Sequence, residues 1–238
     1  MTANQTSVIT RVNAGLRAYL LGVYNYMAGG LLVSALCAYL GSTPMFIKAL
    51  YQITPQGAVS YTLLGWMILI APFILVFMFG SAVHQLNVGK AQTIFWAFAA
   101  LMGFGLSSVF LMYSGASLIQ TFLVTAASFA GLSLYGYTTK NDLTGVGAFA
   151  MMGLWGLIFT IIINWFLKSP AVAYAVSIIG VGIFVALTAY DTQRIKGMYS
   201  SSDSAEISKS KAISGALTLY LDFINLFLML LRLMGNRK

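Results

Sequence analysis

The chain alternates between long apolar stretches and short polar connections, a pattern typical of a protein that crosses a membrane repeatedly. About 20 apolar residues in a helix span the hydrocarbon core of a bilayer. Seven stretches meet this length, at residues 20–40, 61–83, 91–113, 117–137, 145–167, 171–190 and 213–234. A β-barrel would instead need strands that alternate polar and apolar residues. The pattern therefore predicts an all-α membrane protein with a seven-transmembrane-helix bundle, in a single domain over residues 1–238.

The connections add an orientation to this picture. Residues 1–19 form a polar N-terminal segment, and residues 199–211 form a serine-rich loop that we expect to be flexible. Short cytoplasmic loops are enriched in Lys and Arg. With a cytoplasmic N-terminus, eight of the 13 basic residues lie inside and five outside. The sequence thus favours a cytoplasmic N-terminus and a C-terminus on the opposite side.

Composition agrees with a lipid environment and excludes several classes of function. The chain is 59% hydrophobic and 8% charged, against about 25% charged residues in soluble domains. The net charge of +8 is scattered over the ends of the apolar stretches, so we expect no nucleic-acid partner. A nucleophile motif, a phosphate-binding loop and a metal-binding histidine pair are all missing from the sequence. We therefore expect no enzyme and no cofactor.

One acidic residue lies deep in an apolar stretch. Of the five acidic residues, Asp222 falls nine residues into the seventh span, roughly 13 Å along a helix. A lone carboxylate at that depth costs at least about 2.5–3.5 kcal/mol. Such residues face the interior of a bundle and are commonly functional.

Polar residues accompany Asp222 along one face of the seventh span. They recur at spacings of three, four, four, three and seven residues, and they are Lys211, Ser214, Thr218, Asp222, Asn225 and Arg232. At about 100° per residue they fall within an arc of roughly 80°. We interpret this polar stripe as the lining of an aqueous path, which would place the C-terminal helix centrally. A dry seam of internal hydrogen bonds explains the stripe equally well.

A second acidic residue closes the sixth span. Asp191 stands in the segment YDTQRIK at 190–196, just before the basic residues that mark the membrane interface. On its own it could be an exposed helix-end residue that pairs with Arg194. Asp142 precedes the fifth span, where its expected role is to cap the helix N-terminus.

Four segments carry a resemblance to a known family. YDTQRIK at 190–196 and LYLDFINLF at 219–227 resemble the transmembrane Bax inhibitor motif family, the Bax inhibitor-1-like proteins. LRAYLLGVYNY at 16–26 and YGYTTKNDLT at 135–144 are similar to its bacterial members. The resemblance implies a seven-helix bundle in a bacterial inner (plasma) membrane, with the last helix surrounded by the other six. It also implies that Asp191 and Asp222 face each other and serve a pH-sensitive calcium leak.

Such an aspartate pair would respond to both protons and cations. Two desolvated carboxylates a few ångströms apart cannot both ionise cheaply, so the pair titrates as a unit. With one shared proton it joins the sixth and seventh helices, and without that proton it repels itself or attracts a cation. Calcium takes 6–8 oxygen ligands. We therefore expect weak, transient binding at Asp191 and Asp222, with calcium as the transported ion.

The sequence departs from the family at one point and leaves an alternative function open. The family's pH latch is a basic residue of the second helix, but residues 61–83 contain no Arg or Lys. The nearest candidate is His84, which we hypothesise to pair with Asp191 at acidic pH; an interfacial histidine without a gating role is the alternative. The resemblance to bacterial members also suggests a non-transporting regulator or substrate of a membrane quality-control protease. In that case residues 1–10 would form a cytoplasmic handle for the protease.

Overall fold

The protein is helical over most of its length, and seven of its helical stretches are long and apolar enough to cross a membrane. The computed structural model describes the backbone of residues 3–53 and 59–238, and the side chains of residues 14–52, 60–83 and 85–238. The elements in chain order are α1 (Ala3–Gly41), α2 (Pro44–Leu50), β1 (Tyr51–Ile53), β2 (Val59–Tyr61), α3 (Leu63–His84), α4 (Val88–Gly105), α5 (Ser107–Met112), α6 (Gly115–Thr138), α7 (Thr144–Leu167), α8 (Pro170–Gly197) and α9 (Ala205–Met234). The predicted all-α membrane architecture with seven spans is confirmed.

Two helix boundaries differ from the hydropathy pattern in a way that matters for the site. α8 continues through Gly197 instead of ending at residue 190, so Asp191 lies within the helix. α9 begins at Ala205, which makes much of the predicted flexible loop 199–211 helical. Ser204 starts this helix, because its Oγ accepts a hydrogen bond from the backbone N–H of Ile207 at 3.3 Å. One serine of the serine-rich segment is therefore a helix cap, and a hydropathy pattern cannot reveal a cap.

The segment between the first and second spans is also folded. The short helix α2 leads into β1, which pairs antiparallel with β2 so that Tyr51 lies opposite Tyr61. Thr62 then caps α3, accepting a hydrogen bond from the backbone N–H of Gly65 at 3.1 Å. The third predicted span is divided at Leu106 into α4 and α5, where the Ser107 hydroxyl donates to the carbonyl of Phe104 at 2.6 Å.

The chain forms two compact units, and close approach of α1 and α4 organises the first of them, Met1–Met112 with Tyr199–Leu217. The Ser34 hydroxyl of α1 donates to the carbonyl of Ala99 in α4 at 2.6 Å. A Cβ on Gly103 would lie 2.4 Å from the carbonyl oxygen of Ser34 and 2.7 Å from the Cβ of Cys37. Only glycine fits at this crossing, and Cys37 acts there as a small packing residue.

In the second unit, Tyr113–Met198 with Thr218–Lys238, α8 packs against both α6 and α7. A Cβ on Gly136 of α6 would lie 2.2 Å from the carbonyl oxygen of Ala189. A Cβ on Gly147 of α7 would lie 2.4 Å from the ring of Tyr190. These two glycines thus let α6 and α7 close on the same turn of α8, immediately before Asp191.

α9 is the most enclosed of the seven spans. In its most apolar window 61% of the residues are buried, against 17–39% in the other six spans. Tyr220 and Leu226 are fully buried although both lie at membrane depth. The C-terminal helix is therefore the least exposed of the seven spans.

Candidate di-aspartate site

Asp191 of α8 and Asp222 of α9 lie together inside the second unit. Their residues are only 4% and 5% exposed. Their carboxyl groups are within side-chain hydrogen-bonding reach of each other. Because a carboxylate has no donor of its own, a hydrogen bond between the two requires one of them to carry a proton. The geometry therefore fits a pair that shares one proton.

Each carboxyl group of the pair also keeps one oxygen without a hydrogen bond. These buried atoms are Oδ1 of Asp191 and Oδ2 of Asp222, and no described residue donates to either. A buried carboxyl oxygen without a donor is costly. Asp222 Oδ2 is available to accept from water or to coordinate a cation, whereas Asp191 Oδ1 faces the Arg194 guanidinium.

A single basic side chain among the described residues approaches the pair closely enough for an ion pair. Arg194 Nη1 lies 3.6 Å from Asp191 Oδ1, which is too long for a good hydrogen bond. The Arg194 side chain is 57% exposed, whereas that of Asp191 is 5% exposed. The interpretation of Asp191 as an exposed helix-end residue is therefore wrong, although the pairing with Arg194 that it included is present.

The residues that follow Asp191 fasten the end of α8 to its neighbours. Thr192 donates to the hydroxyl of Ser133 in α6 at 3.4 Å. Gln193 bonds to the connection between α6 and α7, accepting from the N–H of Leu143 and donating to the carbonyl of Asn141, both at 2.9 Å.

Lys196 completes the attachment one turn later. Its Nζ donates to the carbonyl of Tyr137 at 2.7 Å and lies 4.7 Å from the centre of the same residue's ring. A cation at the C-terminus of α6 both satisfies an unpaired carbonyl and opposes the negative end of the helix dipole. The polar tail of the YDTQRIK segment thus extends α8 to Gly197 and fastens the turn after Asp191 to α6.

α6 runs alongside both aspartates, a role that sequence reasoning did not find. Phe129 of α6 contacts Phe223, the residue after Asp222, with ring centroids 5.5 Å apart. One turn further, Ser133 bonds to Thr192, the residue after Asp191. In the sequence, Thr125, Phe129 and Ser133 recur at intervals of four, which places them on one face of a helix. Serine and threonine are common in membrane helices, however, so this spacing alone does not indicate a functional face.

The predicted polar stripe lies on the more accessible edge of α9. Ser214, Thr218 and Asn225 are half-buried and Arg232 is exposed, whereas most residues on the other faces are buried. Asn225 donates to the carbonyl of Leu221 at 2.9 Å within its own helix. Asp222 is the buried member of the stripe. An accessible polar edge on the most enclosed helix is compatible with the predicted aqueous lining.

Other predicted residues lie outside the site or outside the described side chains. His84 is the last residue of α3, and its side chain, like those of residues 1–10, is outside the described part. Asp142 lies at the start of α7, where Oδ1 accepts from the hydroxyl and the backbone N–H of Thr144 at 2.6 and 2.9 Å. These two hydrogen bonds lower the pKa of Asp142 below its ordinary value, the side-chain bond first. The predicted N-cap role is therefore wrong in its position: Leu143 is the N-cap residue and has no side-chain cap hydrogen bond, and Asp142 bonds to Thr144 from one residue earlier.

The chemistry of the pair sets a limit on metal binding. Among the described side chains, no group of three or more His, Cys, Asp or Glu residues comes together. Two carboxyl groups would leave most of a calcium shell to water and backbone carbonyls. The donor set at Asp191 and Asp222 therefore suits a weakly held cation better than a resident one.

Comparison with known proteins extends over the whole site. A family model described as inhibitor of apoptosis-promoting Bax1 matches residues 16–238. The chain is 43% identical over 232 residues to the inner membrane protein YbhL of Escherichia coli strain K12, covering 97% of this chain and 96% of that protein. It is 41% identical over 237 residues to the protein RP147 of Rickettsia prowazekii, covering 100% and 97%. A Caulobacter vibrioides protein is 44% identical over 229 residues, covering 95% and 92%.

Proposed function

Because the chain belongs to the family of the inhibitor of apoptosis-promoting Bax1, we propose that it is a pH-sensitive cation leak channel, with calcium as the transported ion. The observation that supports this proposal best is the buried pair Asp191 and Asp222, in which each carboxyl group keeps an oxygen without a hydrogen bond. Carboxylates buried within a membrane-spanning bundle typically mark ion pathways and proton relays.

In the protonated state the pair closes the path. One shared proton allows a hydrogen bond between the two carboxyl groups, and this bond joins α8 to α9. The proton also reduces the net charge of the pair from −2 to −1. A cation that approaches then meets a single negative charge already occupied in hydrogen bonding. Low pH therefore favours the closed state.

Loss of the shared proton opens the path. Two neighbouring carboxylates in a poorly solvated site repel each other strongly, and this repulsion is relieved by separation of the helices or by a cation between them. Arg194 neutralises part of the charge from its exposed position three residues after Asp191. Calcium binds with an affinity expected near about 10⁻³ M or weaker, because two carboxylates supply few of its ligands. Weak binding permits release and hence passage.

The proposed leak lies in the bacterial inner membrane and involves no catalysis. The chain is a multi-pass membrane protein, and the inner membrane assignment of the Escherichia coli relative supports the same bacterial membrane here. The cytoplasmic N-terminus follows from the distribution of basic residues. A leak of this kind needs no cofactor and no chemical step, since protonation and ion binding supply the whole cycle.

The test is calcium flux through the purified full chain in liposomes, across a pH series that covers carboxylate titration. Wild type is compared with Asp191→Asn and Asp222→Asn, which keep side-chain size but remove the charge. We expect wild-type flux to rise with pH, and both variants to lose this dependence. A matched control is Asp142→Asn, which removes a carboxylate outside the spans and should leave the pH profile unchanged.

A flat wild-type profile, or wild-type flux no greater than in empty liposomes, would refute the leak. The protease-linked alternative makes a different prediction. Deletion of residues 1–10 would then change the abundance or control of the protein in cells, whereas the aspartate variants would not. In a leak, the same deletion spares flux in liposomes.

A further inference from the structure

A row of buried hydroxyl groups runs along α6 toward the aspartate pair. Ser117, Thr121 and Thr125 follow one another at single-turn intervals and are 0–5% exposed. Phe129 and Ser133 continue the same four-residue spacing. From residue 117 to residue 133 the row covers about 24 Å at 1.5 Å per residue, close to the thickness of a hydrocarbon core.

The hydroxyl proton of Thr125 is used within α6 itself. Thr125 Oγ1 donates to the carbonyl of Thr121 at 2.7 Å, within the same helix. In α8, which packs on α6, Thr188 donates to the carbonyl of Phe184 in the same way. A hydroxyl whose proton is used by its own helix offers only lone pairs to a neighbour. Such oxygens suit a cation or the hydrogens of water, and they do not suit an anion.

An aromatic contact interrupts the row where it reaches the aspartates. Phe223 of α9 contacts both Phe122 and Phe129 of α6, with ring centroids 5.6 and 5.5 Å apart in edge-on geometry. Phe129 and Phe223 are 4% and 3% exposed. Phe223 directly follows Asp222, whose Oδ2 is buried without a hydrogen bond. The hydroxyl row is therefore linked to the turn of α9 that carries Asp222 through the contact between Phe129 and Phe223.

We propose that Ser117, Thr121 and Thr125 line one half of the cation path, and that Phe129 and Phe223 form a hydrophobic gate between this half and the aspartate pair. The inference rests on the proposed leak, and it adds the route and the element that closes it. A hydrophobic constriction blocks ions by excluding water, and it opens when its rings separate. Movement of Asp222 also moves Phe223, because the two residues are adjacent on α9. Deprotonation of the pair thus displaces the gate directly.

The opposite end of the row carries a second contact that fits a path mouth. The Ser117 hydroxyl oxygen accepts a hydrogen bond from the backbone N–H of Asn236 at 2.8 Å. The carbonyl of Asn236 in turn accepts from the N–H of Ser114 at 3.1 Å. The segment after α9 therefore folds across the N-terminus of α6. By the predicted orientation, this end of the row lies on the non-cytoplasmic side.

Thiol labelling tests the path without requiring ion flux. Cys37→Ser removes the single cysteine of the chain. In that background Thr121→Cys and Thr125→Cys are treated, in liposomes of the full chain, with a small cationic thiosulfonate that cannot cross lipid. The control is Leu123→Cys, on the same helix but 61% exposed at membrane depth. We expect the two row positions to react at least tenfold faster than the control, and millimolar calcium to slow them.

The gate is tested by Phe129→Ala in the same background. We expect Ser133→Cys, beyond the rings, to react slowly with the gate intact and at least tenfold faster with Phe129→Ala, together with increased calcium flux at low pH. Ile119→Ala is the matched control, since Ile119 lies on the same helix, is 65% exposed and should change neither measurement.

The outcomes separate the path from the leak. Row positions that react no faster than Leu123→Cys, in protein whose flux is normal, would show that α6 packs dry and would overturn the inference. Reactive row positions in a protein without calcium flux would support the path and refute the leak. Unchanged Ser133→Cys labelling after Phe129→Ala would eliminate the gate.

Discussion

Gly136→Ala is the smallest change that displaces the aspartate site without touching it. The added Cβ would lie 2.2 Å from the carbonyl oxygen of Ala189 and 3.1 Å from the Cβ of Thr192. Ordinary contact begins at 3.4 Å, so α6 and α8 must separate locally by about 1.2 Å, which is 3.4 minus 2.2 Å. The displaced atoms are backbone and lie two residues before Asp191. No flexible side chain can absorb the change.

The expected cost follows from overpacking. Insertion of a methyl group into a well-packed contact costs about 1–3 kcal/mol. A glycine-to-alanine change in a helix otherwise stabilises by about 0.5–1 kcal/mol. The same gain is available at Gly131 of α6, where a Cβ meets no atom within 4 Å. Gly131→Ala is therefore a matched control that isolates the steric term.

The assay is the apparent melting temperature in detergent, measured side by side for both variants. At about 2–4 °C per kcal/mol for a chain of this size, Gly136→Ala should melt about 2–12 °C below Gly131→Ala. Liposome flux provides a second measurement. Because Asp191 shifts relative to Asp222, Gly136→Ala should weaken the hydrogen-bonded pair and raise calcium flux at low pH. Equal melting temperatures and equal pH profiles for the two variants would refute the packing of α6 on α8 described above.

Three further predictions concern the surroundings of the pair. Arg194→Gln removes the positive charge near Asp191 and should move the rise in flux to higher pH, by less than about one pH unit because the exposed ion pair is screened; an unchanged profile would exclude Arg194 from gating. Gln193→Leu leaves two backbone groups of the α6–α7 connection unpaired, at about 0.5–1.5 kcal/mol for each hydrogen bond, and should speed amide exchange at Leu143. Asp142 has a lowered pKa in the folded protein. Its ionised form therefore contributes to stability above the unfolded pKa, near about 4, and this contribution is lost as pH falls through the folded pKa. The difference in melting temperature between wild type and Asp142→Asn should vanish in acid.

Hydropathy and charge were sufficient to predict the span count and the burial of Asp222. A carboxylate in the middle of an apolar helix has few alternatives to the interior of a bundle. The burial of Asp191 was harder to predict, because the apolar run ends immediately after it, at Gln193, Arg194 and Lys196. α8 nevertheless continues, since Gln193 and Lys196 bond to the backbone of the preceding connection and of α6. Hydropathy cannot reveal a tertiary hydrogen bond.

Glycine positions show the same limit in packing. A Cβ on Gly103 of α4 would overlap α1. A Cβ on Gly156 of α7 or on Gly182 of α8 would have no neighbouring atom within 4 Å, although these glycines also lie in apolar spans. The contacts that shape the site use Gly136 and Gly147 instead. Sequence spacing identifies small residues, but only the direction of each helix face decides which of them meets a partner. The role of α6 beside the aspartates was hidden for this reason.

The choice of two aspartates over an aspartate and a lysine has a physical consequence. An oppositely charged pair would neutralise itself and offer nothing to a passing cation. A like-charged pair instead requires a positive partner from outside, and three candidates compete for it: a proton, calcium and the Arg194 guanidinium. Arg194 is tethered three residues from Asp191 and is largely in solvent, so it can leave at little cost when another cation arrives. Calcium flux measured against pH, with and without that arginine, therefore reports the competition itself.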